Sequence, residues 1–230
     1  MSTRVYLIRH AEALGNINRT FQGRVDETIS ENGEQQLINL AQRCKDIPID
    51  AIYTSPLLRA QRTAQAVNTY HHLPIQTDAR LLEIDGGDFE GRRWEDLPRL
   101  FPDKLKIWQD TPWAFVAPAG ESMRQVYDRM RDGILELVER HAGQSICVVS
   151  HGCAIRNFLC FALGLPYEQL ASVPWCGNTA INQIDFDAQG TPQVIVQNDM
   201  AHLDAATQTD YSKAFWREPS ASAGEGGAAT

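Results

Sequence analysis

No apolar run in the chain approaches the roughly 20 residues that a membrane-spanning helix needs. The amino terminus offers only Val5-Tyr6-Leu7-Ile8 between Arg4 and Arg9-His10, far short of the apolar centre of an export signal, so a soluble cytoplasmic protein is expected. Positive charge is scarce: 29 acidic side chains face 21 basic ones, and the net charge of −8 argues against a nucleic-acid or anionic-membrane partner. Lysine is nearly missing (Lys45, Lys104, Lys106 and Lys213), so arginine, the planar anion-gripping cation, dominates. The five cysteines are an odd set without a C-x-x-C pair, which favours reduced thiols over a disulfide framework or a zinc site. There is no internal repeat and no break that marks a second domain, and no pattern specifies an oligomeric state. One domain over residues 1–216 is expected. From 217 to 230 the Pro, Ser, Ala, Gly and Thr composition has little to bury and predicts a disordered tail.

The chain instead contains strands that stop abruptly at charge. Val5-Tyr6-Leu7-Ile8 reads as a strand buried on both faces, and Arg9-His10 follows it where open α/β sheets put their ligands, outside the strand ends. Ser30 is an N-cap for a helix carrying Leu37, Leu40, Ala41 and Cys44. Asp50–Thr54 reads as a second strand, stopped by Ser55-Pro56, and Leu57–Tyr70 as a helix with Arg59 in its first turn. An extended stretch through Arg80-Leu81-Leu82-Glu83 runs into the loop 85–91. Glu83 follows an apolar pair, an environment that can hold a carboxyl protonated, whereas Asp85, Asp88 and Glu90 read as solvated.

Prolines and large aromatics between about 94 and 120 predict a small cap of short helices. A helix begins at Glu121 or Ser122 and runs to His141. Gln144–Ser150 is the clearest buried strand and ends at His151-Gly152, before a helix over 154–164. Gly152 permits close backbone approach to an anion, and the helix start supplies donors. Strands over 178–186 and 193–197 complete the sheet as a hairpin. Taken singly, Arg9-His10 reads more readily as an ordinary polar strand end, Arg59 as a surface arginine and His151 as a structural histidine.

In combination these segments say more. Arg9-His10-Ala11-Glu12 with Asn16, Gln22-Gly23, Ser55-Pro56-Leu57-Leu58-Arg59-Ala60, Leu82-Glu83, Gly120-Glu121-Ser122 and Ser150-His151-Gly152 resemble the histidine phosphatase superfamily, also called phosphoglycerate mutase-like, over about residues 3–203. The resemblance implies a three-layer α/β/α sandwich with a mostly parallel central sheet. It implies a metal-independent, cofactor-free phosphomonoester hydrolase in which His10 is the nucleophile, Arg9, Arg59 and His151 cage the phosphoryl oxygens, and Glu83 protonates the leaving alcohol. Asn16, Gln22 and Gly23 match phosphate- or substrate-contacting positions, and Gly152 adds a backbone donor. Ala11 stands where the family usually has glycine.

The stretch Ile84-Asp85-Gly86-Gly87-Asp88-Phe89-Glu90-Gly91-Arg92-Arg93-Trp94 resembles the phosphatase branch and lacks the Glu-Arg-His-Tyr-Gly run of the glycolytic mutases. Small-molecule phosphate esters are the expected partners. The alternatives are a mutase-type phosphotransferase, with Arg92-Arg93 as the candidate second anion site, and a catalytically idle phosphate-binding module.

Overall fold

A computed structural model describes residues 2–209, so the tail expected over 217–230 lies outside the described residues. The chain runs β1 (Thr3–Arg9), α1 (Leu14–Asn18), α2 (Glu31–Cys44), β2 (Ala51–Thr54), α3 (Leu58–Val67), β3 (Ile75–Thr77), α4 (Leu97–Leu100), α5 (Pro102–Asp110), α6 (Met123–Arg140), β4 (Ser145–Ser150), α7 (Gly152–Ala162), β5 (Ile181–Phe186) and β6 (Pro192–Asp199). Short 3₁₀ turns connect them at Ala79–Leu81, Gly87–Phe89, Pro112–Ala114 and Tyr167–Ser172.

The sheet order is β3-β2-β4-β1-β5-β6. The first four strands are mutually parallel and the last two form an antiparallel hairpin on β1. The mostly parallel sheet is therefore observed, and β1 and β4 are its buried centre.

Strand alternation sends successive side chains to opposite faces. Val5, Leu7, Ile146 and Val148 pack with Val126, Met130, Ile134, Phe158 and Leu159 of α6 and α7. Tyr6, Ile8, Ile52, Cys147 and Val149 pack on the other face with Leu40, Ala60, Ala64 and Val67 of α2 and α3. This two-sided burial is why the central strands lack an alternating polar pattern. All five cysteines are free and buried.

The helix starts follow the expected caps. The Ser30 hydroxyl accepts from the Gly33 N–H, and Ser122 and Gln125 form a reciprocal capping box. Several boundaries differ from expectation, and α1 was not expected. The helix expected to reach Tyr70 ends at Val67, with the Asn68 side chain bridging both ways to the Leu73 backbone. Residues 79–81 form a 3₁₀ turn rather than extended chain, because the Asp78 carboxylate caps Arg80 N–H and holds its guanidinium. Helix α7 begins at Gly152, directly at the strand end.

The cap carries α4 and α5. Phe115, Trp94 and Trp108 are buried, and Trp113 lies at the surface. No helix among the described residues is long and apolar enough to cross a membrane.

Leu7 is fully buried at the centre of the sheet, so Leu7→Ala should cost about 2–5 kcal/mol in urea unfolding. Ile195→Ala, on the exposed outer strand, should change stability by less than about 0.5 kcal/mol. Equal losses at the two positions would contradict this placement of the core.

Candidate active site

The site forms where the four parallel strands end. In the parallel register Arg9 pairs with Ser150, so the next residues, His10 and His151, leave the sheet side by side with ring centroids 5.1 Å apart. Ser55 follows β2 in the same way, and Glu83 lies beyond β3. Arg59 stands in the first turn of α3 and points back toward the strand ends. Sheet register thus converts strands far apart in sequence into one constellation.

His10 is almost completely buried and lines a cleft that opens to solvent. Its Nδ1 lies 2.7 Å from the Ala11 carbonyl, an acceptor, so Nδ1 carries the proton and Nε2 the lone pair of the neutral ring. Burial first, then the charges of Arg59 and Arg9, push the His10 pKa well below its ordinary value. The Asn178 amide donates to the His10 carbonyl at 2.9 Å and fixes the backbone beneath the ring.

Both arginines are anchored by backbone carbonyls. Arg9 Nη1 donates to Cys176 O at 2.6 Å, and Arg59 donates to Val25 O at 2.7 Å and Gly23 O at 2.6 Å. Gly23 has a φ of +44°, and a Cβ there would collide with the Glu90 carboxylate. Burial lowers the Arg59 pKa, although the guanidinium stays a cation. Gly152 packs on Arg9, where an added Cβ would stand 3.3 Å from the guanidinium carbon.

Asn16, Gln22, Gly23, Glu83 and Gly152 line the cleft together with Arg9, His10 and Arg59. Asn16 also accepts from the Ala13 N–H, closing the start of α1. His151 does not line the cleft. It lies fully buried behind His10, with Nε2 2.7 Å from the Ser55 hydroxyl and Nδ1 without a hydrogen-bond partner. Burial, followed by the charge of Arg59, pushes its pKa well down.

The Glu83 carboxylate accepts the N–H groups of Ile84, Cys153 and Ala154, two of them at the start of α7. Its backbone is held by Arg129, which donates to the carbonyls of Arg80, Leu82 and Glu83 and pairs with Glu121. One expectation fails here. Glu90 is not solvated: its half-buried carboxylate accepts from the N–H groups of Arg24, Val25 and Gly86, and burial raises its pKa. It ties the loop bearing Gly23 to the loop after Glu83, a duty set by two neighbouring loops and invisible in local sequence. Ser55, Arg129, Trp175 and Asn178 were also not legible as site residues, because their partners lie far away in the chain.

Among the described residues, no group of three or more His, Cys, Asp or Glu side chains is arranged to hold a metal ion. Arg92 and Arg93 do not reach the cleft. Arg92 donates to Asp88 O and stacks on Phe101, and Arg93 pairs with Glu95, both at the surface.

A pair of buried arginines beside a neutral, oriented imidazole at parallel strand ends is an arrangement chemically suited to a phosphoryl group. The sequence profile of the histidine phosphatase superfamily (branch 1) matches residues 5–199, and the chain belongs to that superfamily. It is 32% identical to phosphoserine phosphatase 1 of Hydrogenobacter thermophilus over 80% of this chain and 87% of that one. It is 33% identical to a probable phosphoglycerate mutase, GpmB, of Cronobacter sakazakii over 87% and 95% respectively. The solved structure of Bacillus stearothermophilus YhfR superposes with a TM-score of 0.84 at 31% identity, covering 88% of this chain and all of the other.

The two buried histidines make stability depend on pH. Their folded-state pKa values lie below the unfolded value of about 6.5, so the unfolded chain binds more protons below that pH. Their contribution is complete above about pH 6.5 and is lost as pH falls, by up to about 1.4 kcal/mol per pH unit for each residue. Urea unfolding across that window should show the decline, and His151→Gln should flatten it. A slope unchanged in the variant would contradict a neutral, buried His151.

Proposed function

We propose that the protein hydrolyses small-molecule phosphate monoesters through a phosphohistidine on His10, without a metal or cofactor. The observation that carries this reading is the His10 imidazole, neutral, held by the Ala11 carbonyl through Nδ1 and flanked by two buried arginines. In the first step Nε2 forms a bond to phosphorus while the ester P–O bond breaks, and Glu83 passes a proton to the departing alkoxide. In the second, water attacks the phosphohistidine, Glu83 takes its proton, and His10 leaves as the free imidazole. Arg9 and Arg59 neutralise the equatorial oxygens, the largest catalytic contribution in sites of this kind. Gly152 N–H, Asn16, Gln22 and Gly23 line the same space and serve phosphoryl or alcohol contacts. His151 supports the cage from behind, through its contact with His10.

Hydrolysis is favoured over transfer because Arg92 and Arg93, the sequence candidates for a second anion site, are engaged at the surface. The free cysteines suit a reducing compartment such as the cytoplasm. Residues 1–216 are read as a single catalytic domain.

His10→Ala should abolish phosphate release from a panel of monoesters assayed with a chelator present. Glu83→Gln should slow esters of poorly acidic alcohols by about 10²–10⁴-fold and nitrophenyl esters far less. Equal loss on both would remove Glu83 as proton donor. Phosphate binding without turnover in the parent protein would instead favour the idle module.

With a phosphoglycerate, free phosphate should appear faster than the isomeric ester, as followed by ³¹P resonance. The reverse order would establish the phosphotransferase.

A further inference from the structure

Outside the phosphoryl site, the cleft is walled by four aromatic side chains from three separate segments. Phe21 comes from the loop before Gln22-Gly23, Trp94 and Trp108 from the cap, and Trp175 from the chain just before Cys176. The rings form one continuous surface: Phe21 lies 5.1 Å from Trp94 and 5.5 Å from Trp108, and Trp108 lies 6.1 Å from Trp175, nearly parallel to it. Main-chain bonds join the segments, from Phe21 N–H to Arg92 O and from Trp94 N–H to Arg19 O. Trp175 is half-buried at the rim.

This wall is tied to the catalytic cage. The residue after Trp175 supplies the carbonyl that anchors Arg9. Behind Trp175 the Arg156 guanidinium lies 4.7 Å from the indole centroid and donates to Val173 O and Ala171 O, so its charge is spent inside the protein rather than in the cleft. The remaining polar groups on the outer wall are uncharged. Asn16, Thr20 and Gln22 line it with neutral amide and hydroxyl groups. Among the described residues, Glu83 is the only carboxylate lining the cleft, and Arg9 and Arg59 are its only cations. A carboxylate on the alcohol would lose its hydration against four rings with no cation to replace it, and would face Glu83.

We infer that this enzyme selects phosphate esters of uncharged alcohols bearing a flat aromatic or apolar group, with Trp175 and Trp108 as the specificity-determining surface. This rests on the phosphatase reading of the same site.

The test compares 2-phenylethyl phosphate with O-phosphoserine and 3-phosphoglycerate. All three are alkyl esters, which minimises differences in leaving-group chemistry. In the parent protein, kcat/KM for the phenylethyl ester should exceed that for each charged ester at least about tenfold, since each ring contact of this kind is worth a few-fold and an unpaired buried charge costs more. Trp175→Ala should cut the phenylethyl-to-phosphoserine ratio about tenfold, chiefly through KM, and Trp175→Phe should largely restore it.

A parent ratio near one, or a ratio unmoved in Trp175→Ala, would overturn the substrate class while leaving the phosphatase reading intact. Absence of phosphate release from all three esters and from nitrophenyl phosphate would overturn both. Should Trp175→Ala fail to fold, Trp175→Phe and Trp175→Leu supply the same comparison, with Leu expected to lower the ratio and Phe to hold it.

Discussion

The structure depends on keeping two guanidinium groups charged in a place from which water is largely excluded. Burying a cation costs far more than any single contact returns unless each donor finds an acceptor. Here the acceptors are mainly backbone carbonyls: Cys176 for Arg9, Gly23 and Val25 for Arg59. Carbonyls satisfy the donors without cancelling the charge, as a paired carboxylate would, so the positive field stays available to an anion in the cleft. The same field, added to burial, is what keeps His10 neutral rather than protonated.

Carbonyls can serve this purpose only if the loops that carry them are held. A second polar network does that. Arg129 spans three carbonyls of the segment ending at Glu83, Glu121 pairs with it, and Arg24 lies 3.3 Å from both Glu121 and Asp85. Glu90 gathers the N–H groups of residues 24, 25 and 86. The loop that clamps Arg59 and the loop that presents Glu83 are therefore one unit, and a shift in either moves both side chains together.

Much of this was legible in the chain. Ser30 and Ser122 announced their helices because capping depends on atoms three residues apart. The central strands announced themselves by uninterrupted apolar runs, since both faces are covered. His10, Arg59, Glu83 and Gly152 stood out because each follows a strand end by a few residues, and ligands gather there. Glu90 was misread because its acceptor duty lies toward backbone N–H groups, which leave no trace in residue type. The ends of the helix after β2 and of the turn after Asp78 shifted for the same reason, through side chains bonding to nearby backbone.

By itself, then, the sequence determined the order of the strands and of the longer helices, the caps at Ser30 and Ser122, the apolar faces that form the core and the kinds of groups that gather at the strand ends. All of these follow from periodicity and bonding within a few residues. Only the tertiary structure decided that His10 and His151 lie ring beside ring, that Arg9 is held by a carbonyl 167 residues away, and that four aromatic rings from three segments form one wall. Those facts depend on strand register and on main-chain acceptors, which every residue carries alike and no side-chain pattern encodes.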